Sequence, residues 1–178
     1  MDMSASADLG LLILRVYLGI NFLAYGAQKL FGLFGGPGLK GWTGYVASLR
    51  MRPARWVALF GAVSETGAAI LLLLGLLVPL ASAAIIASMV VATFTVHIKN
   101  GYFNSKGGFT YPLSIIAIAA ALAFTGPGST AIGTSSWQLA WLGSMSGPVG
   151  VALGVLGAVL VLSTRSRVTD ATLTGSKA

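Results

Sequence analysis

The 178-residue chain is 56% hydrophobic and only 8% charged, with a mean hydropathy of +0.86, where a soluble domain carries about 25% charged residues; it reads as a single all-α domain in a membrane. Its formal charge of +7 is spread along the flanks of apolar runs and forms no dense tract, which excludes a nucleic-acid arm. With no cysteine and one histidine, the composition excludes a disulfide framework, a thiol relay, an iron–sulfur cluster, a thiolate metal site and bis-histidine haem ligation within one chain, so neither a metal site nor an intrinsic cofactor is expected.

The first eight residues, MDMSASAD, are acidic rather than basic and do not resemble a cleaved secretory signal, so the first helix is expected to stay in the mature protein. Five apolar runs follow, at about 9–34, 56–78, 80–98, 109–125 and 147–162. The first three meet the ~20 residues that ~30 Å of hydrocarbon requires, and the last two lie near the ~17-residue lower limit. The expected organisation is a short N-terminal segment (1–8), a transmembrane bundle (9–130), a loop with a fifth transmembrane helix (131–163), and a disordered polar tail (164–178).

Charge placement assigns the sides. Lys40, Arg50, Arg52, Arg55, Lys99, Lys106, Arg165, Arg167 and Lys177 fall in alternate connections, and the intervening ones hold no Lys or Arg. By the positive-inside rule the N-terminus is expected outside and the C-terminus in the cytoplasm. Trp42, Tyr45, Val46 and Leu49, at i, i+3, i+4 and i+7, predict a short helix on the cytoplasmic surface with its aromatics in the headgroup boundary. Trp137 and Trp141 predict an aromatic-belt anchor on the other side.

Ionisable groups inside the apolar runs are site candidates by default, because hydrocarbon cannot satisfy them. In the first run Arg15, Gly19, Phe22, Gly26 and Lys29 are spaced four, three, four and three and share one helical face. Glu65 lies about nine residues into the second run, roughly 14 Å deep. Arg15 and Lys29 each lie roughly 10 Å from its level, and either long side chain can close that gap. Glu65 is therefore a structural ion-pair partner of Arg15 or Lys29, a ligand or proton site, or a neutral acid. His97, at the end of the third run, is a satisfied boundary residue, or a hydrogen-bonding partner for a quinone carbonyl or a participant in proton transfer. Tyr17, Asn21, Tyr25 and Gln28 form a second polar stripe that ties helices together. Gly150 and Gly154 permit close packing within the chain or in a homo-oligomer. Gly107-Gly108 reads as a turn or as an anion-binding nest.

These residues in this order resemble the DoxX family of small bacterial membrane proteins. The likeness rests on Arg15, the run Tyr25-Gly-Ala-Gln-Lys-Leu-Phe-Gly32, Glu65 leading into 71–78, Met89 to the run His97-Ile-Lys-Asn-Gly-Tyr-Phe103, Gly107-Gly-Phe-Thr-Tyr-Pro112 and Gly126-Pro-Gly128, and it spans about residues 9–130. The resemblance implies a four-helix membrane bundle, to which this chain adds a C-terminal fifth helix. It also implies association with oxidoreductase chemistry. Relatives include a subunit of thiosulfate:quinone oxidoreductase, proteins linked to quinone or catechol detoxification, and a mycobacterial membrane partner of superoxide dismutase and a thiosulfate sulfurtransferase. By motif position Arg15, Lys29, Glu65 and His97 are the polar residues carried over. Thr110 stands where many relatives have a glutamate, which removes a second membrane-edge acid.

The expected function is an accessory subunit of a quinone-linked oxidoreductase or redox-detoxification complex in the bacterial cell membrane, with quinone as its cofactor or substrate and a soluble oxidoreductase or sulfurtransferase as its partner. Lys29, Glu65 and His97 are expected to line a pocket toward the cytoplasmic side, with Arg15 as the structural partner of Glu65. The alternatives are a non-enzymatic scaffold that docks soluble enzymes through its basic loops and, more remotely, a small-molecule transporter.

Overall fold

The computed structural model describes residues 3–132 and 140–166. Trp137 and the tail beyond Ser166 lie outside them, as does the side chain of Trp141, so the aromatic-belt expectation and all but residues 164–166 of the expected disordered tail fall outside the described residues. The described chain is predominantly helical, with short connections. It runs α1 (Met3–Phe31), α2 (Gly38–Ser48), α3 (Ala54–Leu74), α4 (Val78–Ala92), α5 (Thr110–Thr125) and α6 (Ser146–Ser163). An isolated antiparallel bridge between Met51 and Arg165 is the one β-type pairing among these residues.

Four helical stretches are long and apolar enough to cross a membrane: Ser4–Phe31, Ala54–Leu74, Val78–Asn100 and Gly143–Ser163. The fifth apolar helix, α5, has 16 residues and is about 24 Å long, short of ~30 Å of hydrocarbon. The sequence grouped the last two runs as equally short. The structure separates them, because the Ala140–Met145 turn adjoins α6 and lengthens its apolar stretch.

The predicted α1 stripe is the face that meets α3. A Cβ on Gly19 would lie 2.6 Å from Leu73 Cγ, and one on Gly26 would lie 2.1 Å from Thr66 Oγ1. Side chains there would force the helices apart, so the two glycines let the backbones approach. Leu18 and Phe22 are buried in the same seam. At the centre stands α4, which touches α3, α5 and α6 and is apolar but for Ser82 and Ser88, as a helix between protein and lipid must largely be. Its buried residues Val78, Ala81, Ile85 and Ile86 join Leu72 of α3 and Ile115, Ala119 and Leu122 of α5 in the main core.

Helix α6 lies against α4 through its small residues. A Cβ on Gly150 would lie 2.7 Å from the Pro79 carbonyl oxygen, and one on Gly154 would lie 2.8 Å from that of Ala83. The homo-oligomer face expected at Gly150 and Gly154 is thus occupied within the chain: α4 fills the space a second copy would need.

A second, smaller core of Val46, Met51 and Ala58, with Trp42, Leu49 and Val161 against it, ties α2 to α3 and α6. The connection after α2 and the residues after α6 are hydrogen-bonded as a pair. Arg52 N donates to Thr164 O at 3.1 Å, Ser166 N to Arg50 O at 2.9 Å, and Arg165 Nε to Leu49 O at 3.2 Å. The predicted surface helix exists, but its orientation differs from expectation. Val46 is buried, Trp42 and Leu49 are half-buried, and only Tyr45 of that set is exposed. The stripe faces the bundle because α3 offers it an apolar seat at Ala58.

Candidate functional site

The Lys29 ammonium, in the last turn of α1, forms an ion pair with Glu65 Oε2. A cation at a helix C-terminus also faces the negative end of the helix dipole. The other carboxylate oxygen, Oε1, accepts a hydrogen bond from the Ser88 hydroxyl of α4, so three helices meet on one carboxylate. The Glu65 side chain is 4% exposed and that of Lys29 is 17% exposed. The remaining access to Lys29 is partly covered by Trp42, whose ring centre lies 4.5 Å from Nζ. Trp42 is fixed in turn by Nε1 donating to the Ala58 carbonyl at 3.2 Å and by stacking on Tyr45. An ammonium held between a carboxylate and an aromatic face is well satisfied without water. The neighbours that looked suggestive in sequence take no part: Ser64 and Thr66 donate to Gly61 O and Ala62 O within their own helix.

Arg15 does not pair with Glu65, and the expectation that it would is corrected here. It is 1% exposed and lies at the opposite end of α3. Its Nε donates to Leu72 O at 3.0 Å, and its Nη1 donates to Pro127 O. Leu72 is seven residues beyond Glu65, about 10 Å along the helix. Here α3 ends: the Leu72 carbonyl already accepts from Gly75 N at 3.1 Å, and the guanidinium adds a second donor to it while its fork reaches the Pro127 carbonyl. Asp8 reinforces this end by accepting from Ser129 N at 3.1 Å, and Ile132 N donates to Leu74 O at 2.9 Å. Gly126-Pro-Gly128, in sequence only a helix breaker, is thereby the acceptor loop for Arg15.

His97 also sits apart from the carboxylate. Its Nδ1–H donates to Gly107 O at 2.8 Å, and the same carbonyl accepts from Asn100 Nδ2 at 3.1 Å. The loop 101–109 is closed further by Phe109 N to Gly101 O and Gly108 N to Phe103 O, both at 3.0 Å. The structure therefore brings Lys29 and Glu65 together, adds Ser88 and Trp42, and gives His97 a different set of partners. In the second polar stripe Asn21 donates to Tyr17 O at 2.7 Å and Gln28 to Phe34 O at 3.5 Å, so both amides are engaged close to their own helix.

Ser88 and Trp42 were missed as site residues. A serine in an apolar helix carries little signal, since such hydroxyls often bond their own backbone. Trp42 was visible, but as a lipid anchor. No group of three or more His, Cys, Asp or Glu side chains that could hold a metal occurs among the described residues.

With this geometry in place, comparison with known proteins decides the family. The model of the DoxX family matches residues 10–98, half of the chain. The chain belongs to the DoxX family. The matched stretch contains Arg15, Lys29, Glu65, Ser88 and His97, and it excludes α5, α6 and the loops between them. No curated protein and no solved structure matches the chain significantly. As a DoxX protein with four long apolar helices, it is a multi-pass membrane protein.

Proposed function

We propose that this DoxX protein is an accessory subunit of a quinone-linked oxidoreductase or redox-detoxification complex in the bacterial cell membrane. Its N-terminus is outside and its basic connections, with the C-terminus, face the cytoplasm. The observation that carries the reading is the Lys29–Glu65–Ser88 network: a proton-bearing cluster inside an apolar bundle, still reachable at Lys29 beneath Trp42. Reduction of a quinone to a hydroquinone takes two electrons and two protons. In this reading Lys29 supplies a hydrogen bond to a quinone carbonyl, the network relays protons, and a soluble oxidoreductase partner passes on the two electrons it takes from the substrate it oxidises; a sulfurtransferase partner would handle the sulfur of such a substrate. Buried charges that titrate or exchange partners are the groups a membrane protein uses for such relays.

The test is binding and reduction of a short-chain ubiquinone analogue by the purified protein, with and without candidate soluble partners. Saturable binding that Lys29→Met weakens, and turnover that needs a partner, support the reading. Absence of binding and of turnover with every partner removes it.

A scaffold role is favoured by a different observation. Lys40, Arg50, Arg52 and Arg55 are all exposed, and the 50–52 connection that carries two of them is hydrogen-bonded to residues 164–166. A fixed basic surface suits docking of an acidic soluble protein. Under this alternative, charge reversal at these four positions abolishes partner capture while Glu65→Gln leaves it intact.

A further inference from the structure

Away from the ion pair, an apolar groove of about 300 Å³ runs between the end of α4 and the start of α5, lined by Val90, Thr93, Phe94 and Ile98 on one side and by Phe109, Leu113 and Ile116 on the other. The polar member of this lining, Thr93, has turned its hydroxyl to Met89 O at 2.8 Å, so the walls offer no free hydrogen-bonding side chain. The groove is open outward: Phe94, Ile98 and Leu113 are 53%, 47% and 45% exposed. Its shape follows from a break in helical register. Residues Thr93–His97 form a π-helical turn, which inserts one residue and swings the following side chains by about 100° relative to a continued α-helix.

The rim is different in character. Lys99 directly follows the lining residue Ile98, and Lys106 lies three residues before Phe109; both are exposed. The loop that carries them is ordered by the convergence of His97 and Asn100 on the Gly107 carbonyl and by the Phe109 N to Gly101 O bond. The ordered loop that carries both cations thus starts and ends on residues of the groove lining, Ile98 and Phe109.

We infer that this groove binds one acyl chain of an anionic phospholipid, with Lys99 and Lys106 receiving its headgroup phosphate. A fully apolar lining accepts hydrocarbon and offers nothing to a polar head. About 300 Å³ is the small end of the ligand-pocket range and accommodates part of a chain, not a whole lipid. Basic residues beside a bilayer surface draw anionic lipid, so the two lysines select the headgroup class while the groove holds the tail.

The experiment is native mass spectrometry of the full-length protein in mild detergent. It is titrated with phosphatidylglycerol, with phosphatidylcholine of identical chains, and with the free fatty acid of that chain length. The expected result is saturable phosphatidylglycerol binding about tenfold or more tighter than phosphatidylcholine. Lys99→Gln with Lys106→Gln, both at exposed positions, brings phosphatidylglycerol down to the phosphatidylcholine level. Ile116→Trp fills the groove and removes saturable binding of both lipids. Leu113→Phe, at a more exposed wall position, weakens both and serves if the tryptophan variant fails to fold. Equal affinity for the two phospholipids, preference for the fatty acid, or unchanged binding in the groove variants overturns the inference.

Discussion

The Ser88 hydroxyl donates to Glu65 Oε1 while Lys29 occupies Oε2, so a carboxylate buried among three helices has both oxygens engaged. This decides how the site responds to change: each partner removed leaves a defined oxygen without a donor.

Ser88→Ala is therefore expected to destabilise the protein by about 1–2 kcal/mol, the range for losing a hydrogen bond to a charged group in a membrane bundle. Thermal unfolding in a mild detergent measures it. Ser88→Thr, which keeps the hydroxyl, should recover most of the loss. If the alanine variant melts with the wild type, the hydrogen bond contributes nothing to the fold.

Lys29→Met should cost more, about 3–5 kcal/mol, because it leaves a charge buried without its counter-ion. The double variant Lys29→Met with Glu65→Leu removes both charges and should be more stable than Lys29→Met alone. A double-mutant cycle on detergent-solubilised protein separates the pair term from packing. An additive cycle would mean that the two groups act independently.

Arg15 calls for a different substitution pattern. It serves backbone carbonyls of Leu72 and Pro127 at the far end of α3, so its loss should not touch the Glu65 network. Arg15→Met is expected to destabilise by about 1–3 kcal/mol through loss of two hydrogen bonds from a charged donor, the Leu72 carbonyl keeping its bond from Gly75 N. Arg15→Lys should recover only part of that, since a single ammonium cannot reproduce the fork of donors. Under the proposed quinone reading, affinity for a quinone analogue should be unchanged in whatever fraction remains folded, and a titration of the folded fraction checks this.

The contrast between the two cations also shows what the sequence could and could not reveal. Their common face on α1, with Gly19 and Gly26 between them, was legible because helical periodicity and small residues in a membrane helix are strong signals. The choice of counter-ion was not. It depends on how α1 and α3 rotate and slide, and both cations reach Glu65 on helical rise alone. The acceptors of Arg15 are main-chain carbonyls, which every residue possesses and no residue type advertises. For His97 the sequence left a satisfied boundary residue and a quinone or proton-transfer partner both open, and its bond to Gly107 O is of the first kind. The π-turn Thr93–His97 just before that bond adds a residue that composition does not betray. Gly150 and Gly154 were readable as a close-packing pair, but the identity of the opposing helix required the arrangement of α4 and α6.

That last arrangement yields a further prediction. A Cβ at Gly154 would meet Ala83 O at 2.8 Å and Ile86 Cβ at 2.9 Å, and these are rigid backbone and β-branched atoms of the central helix. Gly154→Leu should therefore separate α6 from α4 inside one chain, lowering thermal stability by several kcal/mol, as overpacked or displaced interfaces do. Gly157→Ala, whose Cβ would lie an ordinary 3.5 Å from Ala87 Cβ, should be close to neutral. The decisive measurement is oligomeric state alongside stability, by light scattering in detergent and thermal unfolding. If Gly154→Leu leaves the melting temperature in place and instead splits a dimer, the glycine face lies between chains and the intramolecular packing of α6 on α4 is wrong.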